Sequence, residues 1–229
     1  MHLQKYGSGS TTLDWTAAGP EWFQRPGPAG RGGSAAGSAA IGQRACSVVA
    51  GQAFDYRRGF ASVLAEIDGQ PVRFANTHLE VQMFEPVQVA QAAELIATFE
   101  DETAPVIMVG DFNSAANQDA PEHQKTASYR MLRNAGYADI WLREPHSVGG
   151  YTCCQAPDLT NAESELQQRL DLVLVRWGKA GFGGQTAMQV IGEEPGDRIA
   201  VAPGLTLWPS DHAAVAATLW PARGRLASR

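Results

Sequence analysis

The chain is short of what a nucleic-acid-binding or membrane-spanning protein uses. Lys and Arg number 18 against 24 Asp and Glu in 229 residues, a net charge of −6, and the isoelectric point is near 5.4. Affinity for a long polyphosphate comes from neutralised phosphates, so a protein that binds one through its own charge is ordinarily basic. Either the substrate is not a long polyanion, or a bound cation supplies the missing positive charge. Aromatics make up 8% and form no stripe with basic residues, which argues against a tight duplex or single-strand platform. No window approaches the ~18 consecutive apolar residues of a membrane span. No apolar stretch follows the N-terminal lysine as it does in a secretory leader. Three cysteines, Cys46, Cys153 and Cys154, are too few for a disulfide framework or a structural zinc set. At most one of the adjacent pair could bridge to Cys46. No asparagine precedes Asn76, and the only earlier glutamates are Glu21 and Glu66.

What is present, 44% hydrophobic residues with ordinary charge, suffices for one globular domain with a sizeable core. Texture divides the chain. Residues 1–50 are rich in Gly, Ala and Ser, have little to bury and read as weakly ordered, with Trp15, Trp22 and Phe23 as a local anchor. Residues 51–221 read as the domain, and residues 222–229 as a flexible tail. Within the domain, residues 60–67 and 72–76 read as strands joined by Asp68-Gly69, a hairpin signal. A helix is expected over residues 86–99, with Val89, Ala92, Ala93 and Ile96 on its apolar face. Residues 106–109 form a short buried strand, and a second helix over residues 126–134 stops at Gly136. Further strands are expected at residues 170–175, 185–191 and 213–219.

Four polar groups interrupt or end these apolar runs: Asn76-Thr77-His78-Leu79-Glu80, Gly110-Asp111-Phe112-Asn113-Ser114, Arg169-Leu170-Asp171-Leu172-Val173, and Ser210-Asp211-His212. Carboxylates, an amide and imidazoles at strand ends are the layout of an α/β active site. Asp171 is the most constraining. A carboxylate in so apolar a strand needs a partner, because burying it alone costs several kcal/mol; either Arg169 or a histidine could serve. A histidine held by it would have its tautomer fixed and its protonated form favoured. Asp111 and Asn113, one residue apart, project to one side of an extended segment while Phe112 packs inward. Asp111, Asn113 and Asp211 form an oxygen-rich set that suits Mg²⁺ rather than structural zinc.

These four motifs, in this order, resemble the endonuclease/exonuclease/phosphatase superfamily. The resemblance covers residues 57–219. It implies a DNase I-like four-layered α/β sandwich that hydrolyses a phosphate ester with Mg²⁺ or Mn²⁺. Carried over, it makes His212 the catalytic histidine oriented by Asp171, and His78 the second, phosphate-side histidine. Asp111 and Asn113 then position nucleophile and phosphate, Asp211 and Asp111 hold the ion, and Asn76, Asn113 and Arg169 contact substrate. The substrate class it implies is a phosphate ester: nucleic acid, a small phosphodiester or a phospholipid headgroup. The family's early strands carry an asparagine and a metal-binding glutamate, and neither has a counterpart before Asn76. The domain is therefore expected to be incomplete at its N-terminus and impaired in magnesium binding. The alternative is a catalytically inactive remnant serving as a binding or scaffold module. Residues 143–168 are expected to form a loop beside the site.

Overall fold

In the computed structural model, side chains are described for residues 57–67, 69–143, 149–178 and 187–219, together with the backbone of several earlier strands. The Trp15, Trp22 and Phe23 anchor, the tail and any bridge to the Cys46 side chain lie outside the described residues. The chain divides into two units, Met1–Gly32 and Gly33–Arg229. In the first, His2–Leu3 pairs antiparallel with Leu13–Asp14.

The second unit is built on a six-stranded mixed sheet. Its strands are β1 (Ala35–Ala39), β2 (Phe60–Ile67), β3 (Gln70–His78), β4 (Val106–Asp111), β5 (Ala138–Asp139) and β6 (Asp171–Arg176), in spatial order β1-β2-β3-β4-β6-β5. Because β1 pairs with β2, part of the stretch set apart on composition belongs to the sheet. The β2–β3 hairpin turns at Gly69, whose φ of +76° explains the glycine. Strands β3 and β4 run parallel, joined by helix α1 (Glu85–Thr98). Helix α2 (Ala127–Asn134) follows β4 and ends before Gly136, at φ +89°.

Alternation sorts the strand side chains onto two faces. Val106, Met108, Leu172 and Leu174 face one way and pack with Ala92 and Leu95 of α1 and Leu132 of α2. Burying each large aliphatic is worth about 1.5–3 kcal/mol. Val72, Ile107, Val109, Val173 and Val175 face the other way. They meet Met188, Val215, Ala217 and Leu219, which belong to a second, two-stranded sheet of β7 (Thr186–Ile191) and β10 (Ala214–Leu219). Between these lies the hairpin of β8 (Ile199–Ala202) and β9 (Leu205–Leu207). The result is a helix–sheet–sheet α/β sandwich.

The buried face of α1 is not the one its apolar spacing suggests. Val87, Gln88, Gln91, Ala92 and Leu95 are buried, whereas Ala93 is exposed and Val89 and Ile96 only partly covered. The two glutamines win that face by serving the chain beside the site. Gln88 Nε2 donates to the carbonyls of Glu80 (2.7 Å) and Asn113 (2.6 Å). Gln91 Oε1 accepts from the Glu80 N–H at 2.8 Å. Backbone polar groups at a strand end need partners once buried, and two amides in an otherwise apolar stripe supply them.

Candidate active site

The sheet register places the first three polar groups in a row. His78 pairs with Asp111 across β3 and β4, and Asp111 pairs with Asp171 across β4 and β6. Directly paired residues point to the same face. Behind them on that face lie Phe74, Ile107 and Val109, and Val173 and Val175. An apolar floor thus gives way to a polar lip at the sheet edge. The close approach of β3 to β4 there depends on Gly110, at φ +135°. A Cβ at this position would collide with the carbonyl oxygen of Thr77.

His212 enters from the segment preceding β10. Its Nδ1 lies 2.8 Å from Asp171 Oδ2, with side-chain exposures of 25% and 23%. His78 Nε2 lies 3.4 Å from Asp111 Oδ2. The four groups therefore run His78, Asp111, Asp171, His212, two carboxylates between two imidazoles. Of the two candidates for Asp171, the partner is the histidine. Asp171 holds the His212 pKa above its ordinary value by hydrogen bond and by charge, with Asp111 and Asp211 adding to the effect. Burial and the facing Asp171 carboxylate push Asp111 above the usual carboxylate range, against the Asn113 N–H, His78 and His212.

Asn113 does not project alongside Asp111 from an extended segment. It adopts a left-handed φ of +50° and folds back, its N–H donating to Asp111 Oδ1 (2.8 Å) and its Nδ2 to Asp111 Oδ2 (3.3 Å) and the Leu79 carbonyl (3.0 Å). Its donors aim the Asp111 carboxylate, and Phe112 beneath is fully buried. Asn76 is exposed, on the strand face of His78, with Nδ2 3.4 Å from the Val109 carbonyl. Arg169 does not join that row. It is 3% exposed, and its guanidinium is held by Asp139 at 2.7 Å and the Ala116 carbonyl at 3.0 Å. Tyr129 completes that buried cluster through its hydroxyl on Asp139. The Arg169 guanidinium is thus held inside a buried polar cluster.

The loop expected beside the site reaches it. Thr152, fully buried, accepts the N–H groups of Leu170 and Asp171 on its Oγ1 (3.1 and 3.0 Å). Its carbonyl accepts the Ala213 N–H (2.9 Å). It thereby ties the strand of Asp171 to the segment of His212, a role that no spacing in the chain announces. Cys154 brings Sγ to 3.9 Å from His212 Nε2. An open cleft lined by Cys154, Gln155, Pro157, Leu159, Ser210 and Asp211 leads to it. Asp211 is exposed and accepts from Ser210 Oγ at 3.3 Å.

Magnesium takes oxygen ligands in near-octahedral geometry. Asp111 and Asp211, its expected protein ligands, belong to no convergent group of three or more carboxylate, imidazole or thiolate ligand atoms among the described residues. Magnesium keeps several waters and is held through one or two carboxylates together with substrate phosphate oxygens, so Asp111 and Asp211 are the residues that would hold it, and it would there screen charge on a phosphate.

Asp111, with its raised proton affinity, faces a second carboxylate that orients a histidine, an arrangement typical of functional sites. The endonuclease/exonuclease/phosphatase family model matches residues 6–212, so the chain belongs to that family. The match includes most of the first 50 residues. Among solved structures, an endonuclease/exonuclease/phosphatase family protein from Leptotrichia buccalis is similar at TM-score 0.53 and 17% identity, over 81% of this chain and 61% of that one. A conserved protein of unknown function from Enterococcus faecalis is similar at TM-score 0.51 and 16% identity, over 82% and 66%. A mannosyl-6-phosphatase from Bacteroides thetaiotaomicron is similar at TM-score 0.50 and 15% identity, over 80% and 65%. The chain spans less than two thirds of each of these structures. No curated protein matches the sequence. No helix among the described residues is long and apolar enough to cross a membrane.

Proposed function

We propose that the protein is a phosphate-ester hydrolase in which Asp111 and His212 exchange protons with water and phosphate. The observation that carries this reading is the 2.8 Å contact of His212 Nδ1 with Asp171 Oδ2. It occupies the inner nitrogen and leaves Nε2 for the reacting group. Asp171 and the other nearby carboxylates keep His212 protonated to higher pH than an ordinary histidine. It therefore offers a proton and positive charge at Nε2 to a phosphoryl or leaving oxygen. Asp111, its proton affinity raised by burial and by Asp171, accepts the proton of the attacking water. Asn113 fixes the direction of that carboxylate, and His78 places a second imidazole beside it. As water attacks phosphorus, its proton passes to Asp111 while His212 donates one to the ester oxygen that leaves. The two changes balance.

The acidic balance of the chain favours a small phosphate ester over a long polyanion. The test is turnover of bis-p-nitrophenyl phosphate and p-nitrophenyl phosphate by the purified chain and by His212→Ala. The expected result is hydrolysis that the substitution reduces by about 10²- to 10⁴-fold, the contribution of a positioned acid or base. Equal turnover by both proteins would overturn the assignment, as would binding without turnover.

A further inference from the structure

We propose that Gln88, buried in α1, is a positioning residue for the hydrolytic site: it holds Asn113 in the turned-back conformation that aims the Asp111 carboxylate. Gln88 is fully buried. An amide in an otherwise apolar stripe costs stability unless its hydrogen-bonding positions are used, and here all four are. Nε2 donates to the carbonyls of Asn113 (2.6 Å) and Glu80 (2.7 Å). Oε1 accepts from the hydroxyls of Ser128 (2.8 Å) and Thr126. Carbonyls can only accept, so the amide has one orientation, nitrogen toward the strand ends and oxygen toward the start of α2.

The two carbonyls lie at matching places. Glu80 is two residues past His78 at the end of β3, and Asn113 is two residues past Asp111 at the end of β4. One amide therefore spans the exits of the two parallel strands on which His78 Nε2 and Asp111 Oδ2 stand 3.4 Å apart. Asn113 is the more consequential acceptor. Its φ of +50° is left-handed, a conformation that costs energy in any residue but glycine, though less in asparagine than in most. In that conformation the residue faces two ways. Its carbonyl goes to Gln88, while its N–H and Nδ2 reach Asp111 Oδ1 (2.8 Å) and Oδ2 (3.3 Å). Both carboxylate oxygens are thus steered by a side chain 25 residues from the one that contacts them.

Gln91, the other buried amide of α1, is the internal comparison. It accepts the Glu80 N–H at 2.8 Å, and its Nε2 has no partner. Its bond serves the β3 exit and leaves Asn113 to Gln88. The catalytic consequence of the Gln88 contact rests on the proposed function, whereas the hold on Asn113 does not.

The experiment compares Gln88→Met and Gln91→Met in the full chain, each keeping the side-chain length and losing the amide. The thermal midpoint should fall in both, since each strands a buried backbone group. Other readouts separate positioning from packing. By NMR, the Asn113 N–H and Nδ2 protons should exchange with solvent about tenfold or more faster in Gln88→Met and at the parental rate in Gln91→Met. On p-nitrophenyl phosphate, kcat should fall about 10- to 100-fold in Gln88→Met with KM within about twofold, the scale on which small displacements of a reacting group cost rate. Glycine takes a left-handed φ without strain, so in an Asn113→Gly background the further loss of kcat from Gln88→Met should shrink by about threefold or more. In the unsubstituted protein, a scalar coupling across the Gln88 Nε2–H···O=C bond to Asn113 tests the contact even if Gln88→Met does not fold. An absent coupling, equal Asn113 exchange in parent and Gln88→Met, or the same loss of kcat in both backgrounds would overturn the proposal. Faster Asn113 exchange in a chain that never hydrolyses a phosphate ester would uphold the positioning and sink the hydrolase reading.

Discussion

Replacing Asp171 by Asn separates the charge of the His212–Asp171 pair from its shape. The amide fits the same volume and can still accept from Nδ1 through its oxygen, but the negative charge is gone. The contact is 2.8 Å long and three-quarters shielded on both sides, so it counts as a charge-assisted bond rather than a surface ion pair. Such a bond is worth about 1.5–3 kcal/mol, and at about 1.4 kcal/mol per decade its loss lowers kcat roughly 10- to 100-fold. KM should move little, because substrate does not touch residue 171. Proton titration of the His212 ring by NMR supplies a readout independent of turnover. Asp171 is the largest cause of the raised His212 pKa, so its midpoint should fall in the variant. Linkage gives a third readout. The folded state binds this proton more tightly than the unfolded chain. The stabilisation is therefore complete below the unfolded value of about 6.5 and is lost as pH rises through the higher folded value. In Asp171→Asn the thermal midpoint should depend less on pH across that window. An unmoved His212 titration together with unchanged kcat would refute the reasoning.

Four further outcomes follow from particular contacts. Gly110→Ala should cost more than about 4 kcal/mol and abolish activity, because its Cβ meets Thr77 backbone; Gly204→Ala, in open space at φ +74°, should cost about 1–2 kcal/mol by thermal unfolding. Arg169→Met should lower stability by about 3–5 kcal/mol by stranding Asp139, while any folded fraction keeps the parental KM. Gln88→Leu should cost about 3 kcal/mol or more and reduce kcat, since it leaves the Glu80 and Asn113 carbonyls without the Gln88 donor and the Thr126 and Ser128 hydroxyls with only each other. Calorimetric titration with Mg²⁺ should not saturate at micromolar concentrations; micromolar affinity would show that Asp111 and Asp211 have a further strong ligand.

Strands and helices after residue 57 were legible from apolar runs and the residues that stop them: Val106, Ile107, Met108 and Val109 form an unbroken apolar run, and Gly69 and Gly136 mark turns. The row of His78, Asp111 and Asp171 was legible as residues at strand ends, since register turns strand ends into neighbours. Two things stayed hidden. Gln88 and Gln91 replace apolar residues on the buried face of α1 because they answer backbone groups more than 20 residues away in the case of Asn113, and a helical wheel holds no record of such partners. Arg169 is two residues from Asp171, and proximity in the chain suggests a shared pocket. Asp139, which claims it, lies in another strand and carries no local mark of burial. Asn113 turned back on Asp111 because a left-handed asparagine is a conformational choice that residue spacing does not specify.

The placement of His212 has a consequence for what holds the pair together. His78, Asp111 and Asp171 stand on neighbouring strands of one sheet, while the second imidazole is carried by the segment that Thr152 ties down ahead of strand β10, which belongs to the other sheet. The His212–Asp171 contact therefore spans the seam between two sheets, and a slip along that seam would part imidazole from carboxylate while each sheet keeps its own ladder of hydrogen bonds.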